Sequence, residues 1–265
     1  YMIWFSRSDT PPPYLYFWQN LFFTPQVFNH AQFWFLGLLL YFYFFVGLLQ
    51  ALRPNWLQKA ANPVPPSASF FCCFTLLCSA AFFTPTLFLP ADTWFSKLYI
   101  VSFQPARLGI CFLYFLLGLH GWRHSWFAPA SAYRPSLRNW LLLAVPATLL
   151  FTLYRLGLPA APTVLFKAGH ALLHSIFCLS LFMTLLCLFQ QYLNSSSVIW
   201  RNLAASSYAI YILHQLIVLP VAYTVQKWNF PVLPKYFLVC AVCLLLCCAA
   251  GYAATRLLAR LPKPN

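Results

Sequence analysis

The chain has 265 residues, of which 62% are apolar and only 7% charged. A soluble domain carries about 25% charged residues, so this chain cannot wet its own surface and a soluble fold is excluded. Its 16 basic residues against two acidic ones give a net charge of +14. They are scattered between apolar runs, a pattern of loop charges facing lipid headgroups that counts against a nucleic-acid partner.

Residues 1–30 are aromatic-rich and interrupted by Pro11, Pro12 and Pro13. They read as an interfacial loop or the remnant of an earlier helix. A span needs about 20 apolar residues to cross about 30 Å of hydrocarbon. Seven stretches qualify: 31–52, 67–89, 105–120, 137–156, 168–193, 203–225 and 233–258. The third is short and is expected to extend upstream. In lipid, isolated runs satisfy their backbone groups only as helices. The expected fold class is therefore all-α, a polytopic transmembrane helix bundle of about seven spans, with 1–265 as a single domain. The connections carry turn formers, among them Pro54, Pro65, Pro66, Pro129, Pro135, Pro159, Pro162 and Pro231.

Basic residues in alternate loops set the orientation. One set holds Arg7, Lys97, Arg107, Arg155, Lys167, Lys227 and Lys235. The other holds Arg53, Lys59, Arg123, Arg134, Arg138, Arg201, Arg256, Arg260 and Lys263. The larger second set is expected inside, which places the C-terminus in the cytoplasm and Tyr1 outside. Tyr1 is not a methionine, and residues 1–30 do not resemble a cleavable signal peptide. The chain is expected to begin within a longer protein.

The chain has no Glu, and Asp9 and Asp92 both fall outside the spans. Paired-carboxylate catalysis is excluded within these residues, and the lack of an intramembrane carboxylate counts against a proton-coupled transporter. All ten cysteines lie in apolar runs. Cys240 and Cys243 have redox-pair spacing but no polar neighbour, so they read as small hydrophobes. Histidine is the remaining candidate base. His170 and His174 share a helix face without a third metal ligand, so no metal site is expected. His120 and His124 flank Arg123 near headgroup level.

His214 lies deep in the sixth run, with Tyr211 three and Ser207 seven residues before it. Those three share one face. A polar strip of this kind lines a cavity or bonds helix to helix, and spacing alone leaves both readings open. His30 opens the first run ahead of Trp34. Arg107 stands just inside the third, where a guanidinium reaches lipid phosphate or an anionic substrate.

Three segments in this order resemble the acyltransferase-3 family of membrane O-acyltransferases. The first is His30 leading into Trp34-Phe35-Leu36. The second is Phe103-Gln104-Pro105-Ala106-Arg107 running into Tyr114-Phe115-Leu116-Leu117-Gly118. The third and most specific is Ser207-Tyr208-Ala209-Ile210-Tyr211-Ile212-Leu213-His214-Gln215.

The resemblance implies transfer of an acyl group, acetyl or succinyl, to a hydroxyl of an extracytoplasmic carbohydrate or envelope molecule. It implies acyl-CoA as co-substrate, no bound cofactor, and a multi-pass location in a bacterial inner membrane. O-acetylation and polysaccharide modification are the corresponding processes. His30, Trp34, Arg107, Tyr211 and His214 are the expected substrate-binding residues. The family's arginine–histidine pair, ten residues intervening, has no counterpart among these residues, so the catalytic residue is unassigned. By the resemblance about three spans of ~20 residues would precede Tyr1, and the chain alone is expected to be inactive. A permease and an inactive truncated fragment are the alternative readings.

Overall fold

The computed structural model describes Tyr16 and residues 34–54, 57–58, 64–97, 101–126, 131, 133–157, 159, 162–193, 197–226 and 228–258. Among them are seven long helices: α1 (Trp34–Leu52), α2 (Ala68–Phe88), α3 (Pro105–Arg123), α4 (Leu137–Leu156), α5 (Val164–Leu188), α6 (Val198–Gln226) and α7 (Val232–Leu258). A five-residue π-helical turn, Phe189–Leu193, prolongs α5. The N-terminal segment 1–30, with His30 and Asp9, lies outside the described residues apart from Tyr16.

Six of these helices are long and apolar enough to cross a membrane, and α3 is the exception. Its ends carry Arg107, His120 and Arg123, which dilute its hydropathy. Every lysine and arginine in the described helices lies within four residues of a helix end. That is where a charged head reaches water or phosphate at least cost.

Local sequence explains the helix starts. Ser67 accepts a bond from the Phe70 amide at 3.2 Å, Ser136 from Asn139 at 3.4 Å and Thr163 from Phe166 at 3.3 Å. Each satisfies one of the free donors of a first turn. The Thr163 cap starts α5 four residues before the expected 168, so Lys167 sits inside the first turn rather than in a loop. Helix α3 starts on Pro105, which needs no amide partner there. It gains residues downstream, to Arg123, and none upstream, because an antiparallel hairpin precedes it. The hairpin pairs β1 (Phe95–Lys97) with β2 (Val101–Phe103), Phe95 opposite Phe103.

The chain divides into two compact units, 25–193 and a second formed by 1–24 with 194–265. In the first, α2 packs on α3 and on α5, and α5 packs on α4. Phe74, Cys78, Phe82, Ile110, Leu117, Ala171 and Leu179 fill the seam between α2, α3 and α5. Phe42 of α1 meets Phe112 and Phe115 of α3 at 5.2 and 5.5 Å. Lipid tails are as apolar as these side chains, so close packing, not water exclusion, holds the helices together. A Cβ on Gly109 would stand 2.9 Å from that of Ala81, so the α2–α3 crossing requires glycine there.

The second unit is the α6–α7 pair. A Cβ on Gly251 would overlap Ile210, and the Thr255 hydroxyl donates to that of Ser206 at 3.4 Å. Ser206 is buried, whereas Ser207 is exposed and returns its hydroxyl to the Ala204 carbonyl. The interhelical polar contact is thus made by the neighbour of the serine in the Ser207–Tyr211–His214 strip.

Candidate functional site

At one end of the first unit, four helix termini come together. The turn after α2 presents Asp92. The start of α3 presents Arg107, the end of α4 Arg155, and the start of α5 Lys167. Asp92 Oδ2 accepts from Arg155 Nη2 at 3.2 Å, and its Oδ1 lies 3.8 Å from Arg107 Nη2. The Lys167 ammonium donates to the Thr86 carbonyl at 2.7 Å. Two guanidiniums therefore share one carboxylate, and the Lys167 ammonium lines the same cavity as Asp92 and Arg155.

A cavity of about 330 Å³ opens here, lined by residues 86–92 on one side and by Arg155, Lys167 and His170 on another, with Arg107 outside its lining. His170 is one turn after Lys167 and only 7% exposed. Its ring stacks on Phe151 at 5.7 Å, and its Nε2 is buried without a hydrogen-bond partner. His174, one turn further along, stacks on Phe82 at 4.6 Å, outside the cavity lining. No cluster of three potential metal ligands occurs among the described residues.

Trp34 opens α1 and meets Trp94 edge-on at 5.6 Å. Trp94 follows Asp92 by two residues, so Trp34 and Arg107 belong to the same end of this unit. Arg155 and Lys167 share that end, whereas Arg123, Arg134 and Arg138 belong to the other, as the alternate-loop grouping of charges expects.

A second cavity, about 340 Å³, lies toward the opposite end of α3. Leucines of α3 with Phe70 and Phe74 make it apolar, and His120 and Arg123 are its polar groups. His120 stacks on Phe70 at 5.3 Å and touches His124 at 4.4 Å. The nineteen residues of α3 rise about 28 Å at ~1.5 Å each. The apolar cavity lies along the second half of α3, whereas the polar one is lined by the ends of α2, α4 and α5 and by no residue of α3.

The remaining candidates, Tyr211 and His214, belong to α6 in the other unit. His214 Nδ1 donates to the Tyr211 carbonyl at 2.6 Å. A carbonyl only accepts, so this bond places a proton on Nδ1, and in the neutral ring Nε2 then carries the lone pair. Both side chains are half-buried, and their rings lie 5.7 Å apart.

A family model described as an acyltransferase domain, acyltransferase 3, matches residues 1–252. The chain belongs to the acyltransferase-3 family. No curated protein matches it. No solved structure matches it either. Membership makes this a multi-pass membrane protein with an acyltransferase domain, working among lipids on an acyl donor and an acceptor.

Within this acyltransferase-3 chain, the structure places Trp34 and Arg107 at one end of one unit and Tyr211 and His214 in the other. His30 lies outside the described residues. Sequence reasoning missed His170, Lys167 and Arg155 as a group. A signal was present: Lys167 and His170 are three residues apart, hence on one helix face. It was obscured because Lys167 looked like a loop residue before its helix began.

Proposed function

We propose that this acyltransferase moves an acetyl or succinyl group from acyl-CoA to a hydroxyl of an extracytoplasmic carbohydrate or another envelope molecule, in a bacterial inner membrane. The observation carrying this reading is that the first unit has a cavity toward each end, an apolar one beside Arg123 on α3 and a polar one between the ends of α2, α4 and α5. The positive-inside rule assigns the Arg123 end to the cytoplasm. There an apolar cavity suits the acyl and thiol arm of the donor, and Arg123 suits its phosphates. The opposite end, with Arg107, Asp92 and Trp34, suits a polar acceptor.

The chemistry asked of the site is general-base attack. A base takes the acceptor hydroxyl proton, the oxygen adds to the thioester carbonyl, and the thiolate leaves and is protonated. His214, with Nε2 free to accept, has the right tautomer for a base. The proposed substrate-binding residues are His30, Trp34 and Arg107 of the first unit and, separately, Tyr211 and His214 of the second. The charges of the described helices all lie at helix ends, which favours this reading over a permease with a charged residue inside a span.

The test is to express the protein and supply its membranes with labelled acetyl-CoA or succinyl-CoA. Label in envelope carbohydrate, absent without the protein, supports the reading and names the donor. Solute uptake into vesicles with no covalent label replaces it with the permease reading.

A further inference from the structure

The cavity between the ends of α2, α4 and α5 has a chemistry that acyl transfer does not itself demand. Asp92 is the sole carboxylate among the described residues, and it is shared by two guanidiniums. Lys167 spends one of its three N–H donors on the Thr86 carbonyl. The cluster is left with two positive charges in excess, three cations against one carboxylate. Helix α5 begins at the same place, and its N-terminal dipole adds to the positive potential.

His170 is the second, independent observation. Its ring is more than nine-tenths buried, it lines the cavity, and its Nε2 has no partner among the described residues. A buried polar nitrogen left unpaired costs about 1–3 kcal/mol, and such groups in native structures almost always have a partner. In the Nε2–H tautomer, the partner that would satisfy it is an acceptor held beside Lys167 and Arg155. An oxygen of an anion meets that need and neutralises the excess charge as well.

We propose that this cavity is an oxyanion-binding subsite, in which Arg155, Lys167 and the Nε2–H of His170 hold a carboxylate or phosphate group. Asp92 positions Arg155 from the side and leaves part of its fork free. A volume of about 330 Å³ accommodates a small anionic group with part of the molecule that bears it. The anion comes from a soluble molecule or from a phospholipid headgroup at this end of the helices.

The experiment uses the full chain purified in detergent, with no acyl donor present, so it is independent of acyl transfer. Thermal unfolding is followed against inorganic phosphate and against succinate, with chloride at equal ionic strength as reference. Native mass spectrometry of the same sample reports any retained phospholipid. The variants are His170→Asn and Arg155→Gln/Lys167→Gln, with Lys235→Gln as a control. A rise in Tm with phosphate or succinate beyond that with chloride establishes a soluble anion. A roughly tenfold or greater weakening in the double variant is expected, from loss of two charge-assisted bonds. A phospholipid retained by the wild type and by Lys235→Gln, but lost in His170→Asn, establishes the headgroup as the source. If the double variant does not fold, His170→Asn, which keeps every charge, carries the comparison. Wild-type protein that responds to phosphate and succinate only as it does to chloride, and retains no lipid, overturns the proposal. Acyl transfer measured separately can succeed or fail under either outcome.

Discussion

Asp92 and Arg155 stand 63 residues apart in sequence, yet their side chains meet at 3.2 Å. The contact ties the turn after α2 to the last turn of α4. Arg107 approaches the same carboxylate from α3 at 3.8 Å, so one aspartate gathers the ends of three helices. Its side chain is 63% exposed, and those of Arg107 and Arg155 are 48% and 43% exposed. The pairing therefore orients groups more than it stabilises the fold.

Asp92→Asn follows directly. Exposed pairs contribute about 0.2–1 kcal/mol each, so the variant is expected to stay folded with a small drop in Tm that shrinks at high salt. Removing the one carboxylate also removes the competitor for both guanidiniums, so affinity for phosphate should rise. Thermal unfolding at low and high salt, with and without phosphate, checks both. A large, salt-independent loss of stability would show that Asp92 does structural work beyond ion pairing.

Much of this architecture was legible in the residues. Long apolar runs in a chain with 7% charge leave no alternative to spanning helices, and the expected run 137–156 matches α4 at both ends. The hairpin before α3 was not legible, because three-residue strands have no periodicity to detect. The Thr163 cap was overlooked, since Pro162 and Lys167 around it read as loop. The site was less legible still. It is built from single residues at the ends of separate helices, and their meeting is a property of packing that no local pattern encodes. Sequence did place Arg107 and Trp34 at a common end, through alternation of the spans.

Gly109 and Gly118 lie on the same helix and should respond oppositely. A Cβ at Gly109 meets Ala81 at 2.9 Å, whereas one at Gly118 meets nothing within 4 Å. Gly109→Val should cost about 1–3 kcal/mol by forcing α2 and α3 apart. Gly118→Ala should be neutral or stabilising by about 0.5–1 kcal/mol, from reduced backbone freedom. Unfolding in detergent of the two single variants decides it. Equal losses would mean that the crossing at Ala81 is not the constraint.

The far end of the first unit has its own latch. Val64 donates its amide to His124 Nδ1 at 3.2 Å, and its carbonyl accepts from Trp126 Nε1 at 3.1 Å. Trp126 is buried, and Val64 is exposed. His124→Ala and Trp126→Phe should each leave the helices intact and free the strand of chain leading into α2. Amide hydrogen exchange at Val64 should quicken in His124→Ala, because its acceptor is lost, with little change in the core of α5. Exchange that accelerates throughout α5 as well would assign these side chains a global role.

His214 offers the sharpest contrast between packing and chemistry. Its Nδ1–H is committed to the Tyr211 carbonyl at 2.6 Å, so any proton it accepts arrives at Nε2. A general base contributes about 10²–10⁴-fold to rate. His214→Ala should therefore lower kcat by a factor in that range if Nε2 takes the acceptor proton, while the yield of folded protein and the KM for donor stay near wild type. His214→Gln keeps a polar side chain of similar length but cannot act as a base, so it should fall with His214→Ala. If His214→Gln restores activity, the ring acts through hydrogen bonding alone and its role is to hold Tyr211 and the substrate in place. If both variants retain full activity, α6 contributes no base. The comparison needs acyl transfer measured in membranes, with the amount of folded protein determined for each variant, because a half-buried histidine that only packed would lower the yield and leave kcat unchanged.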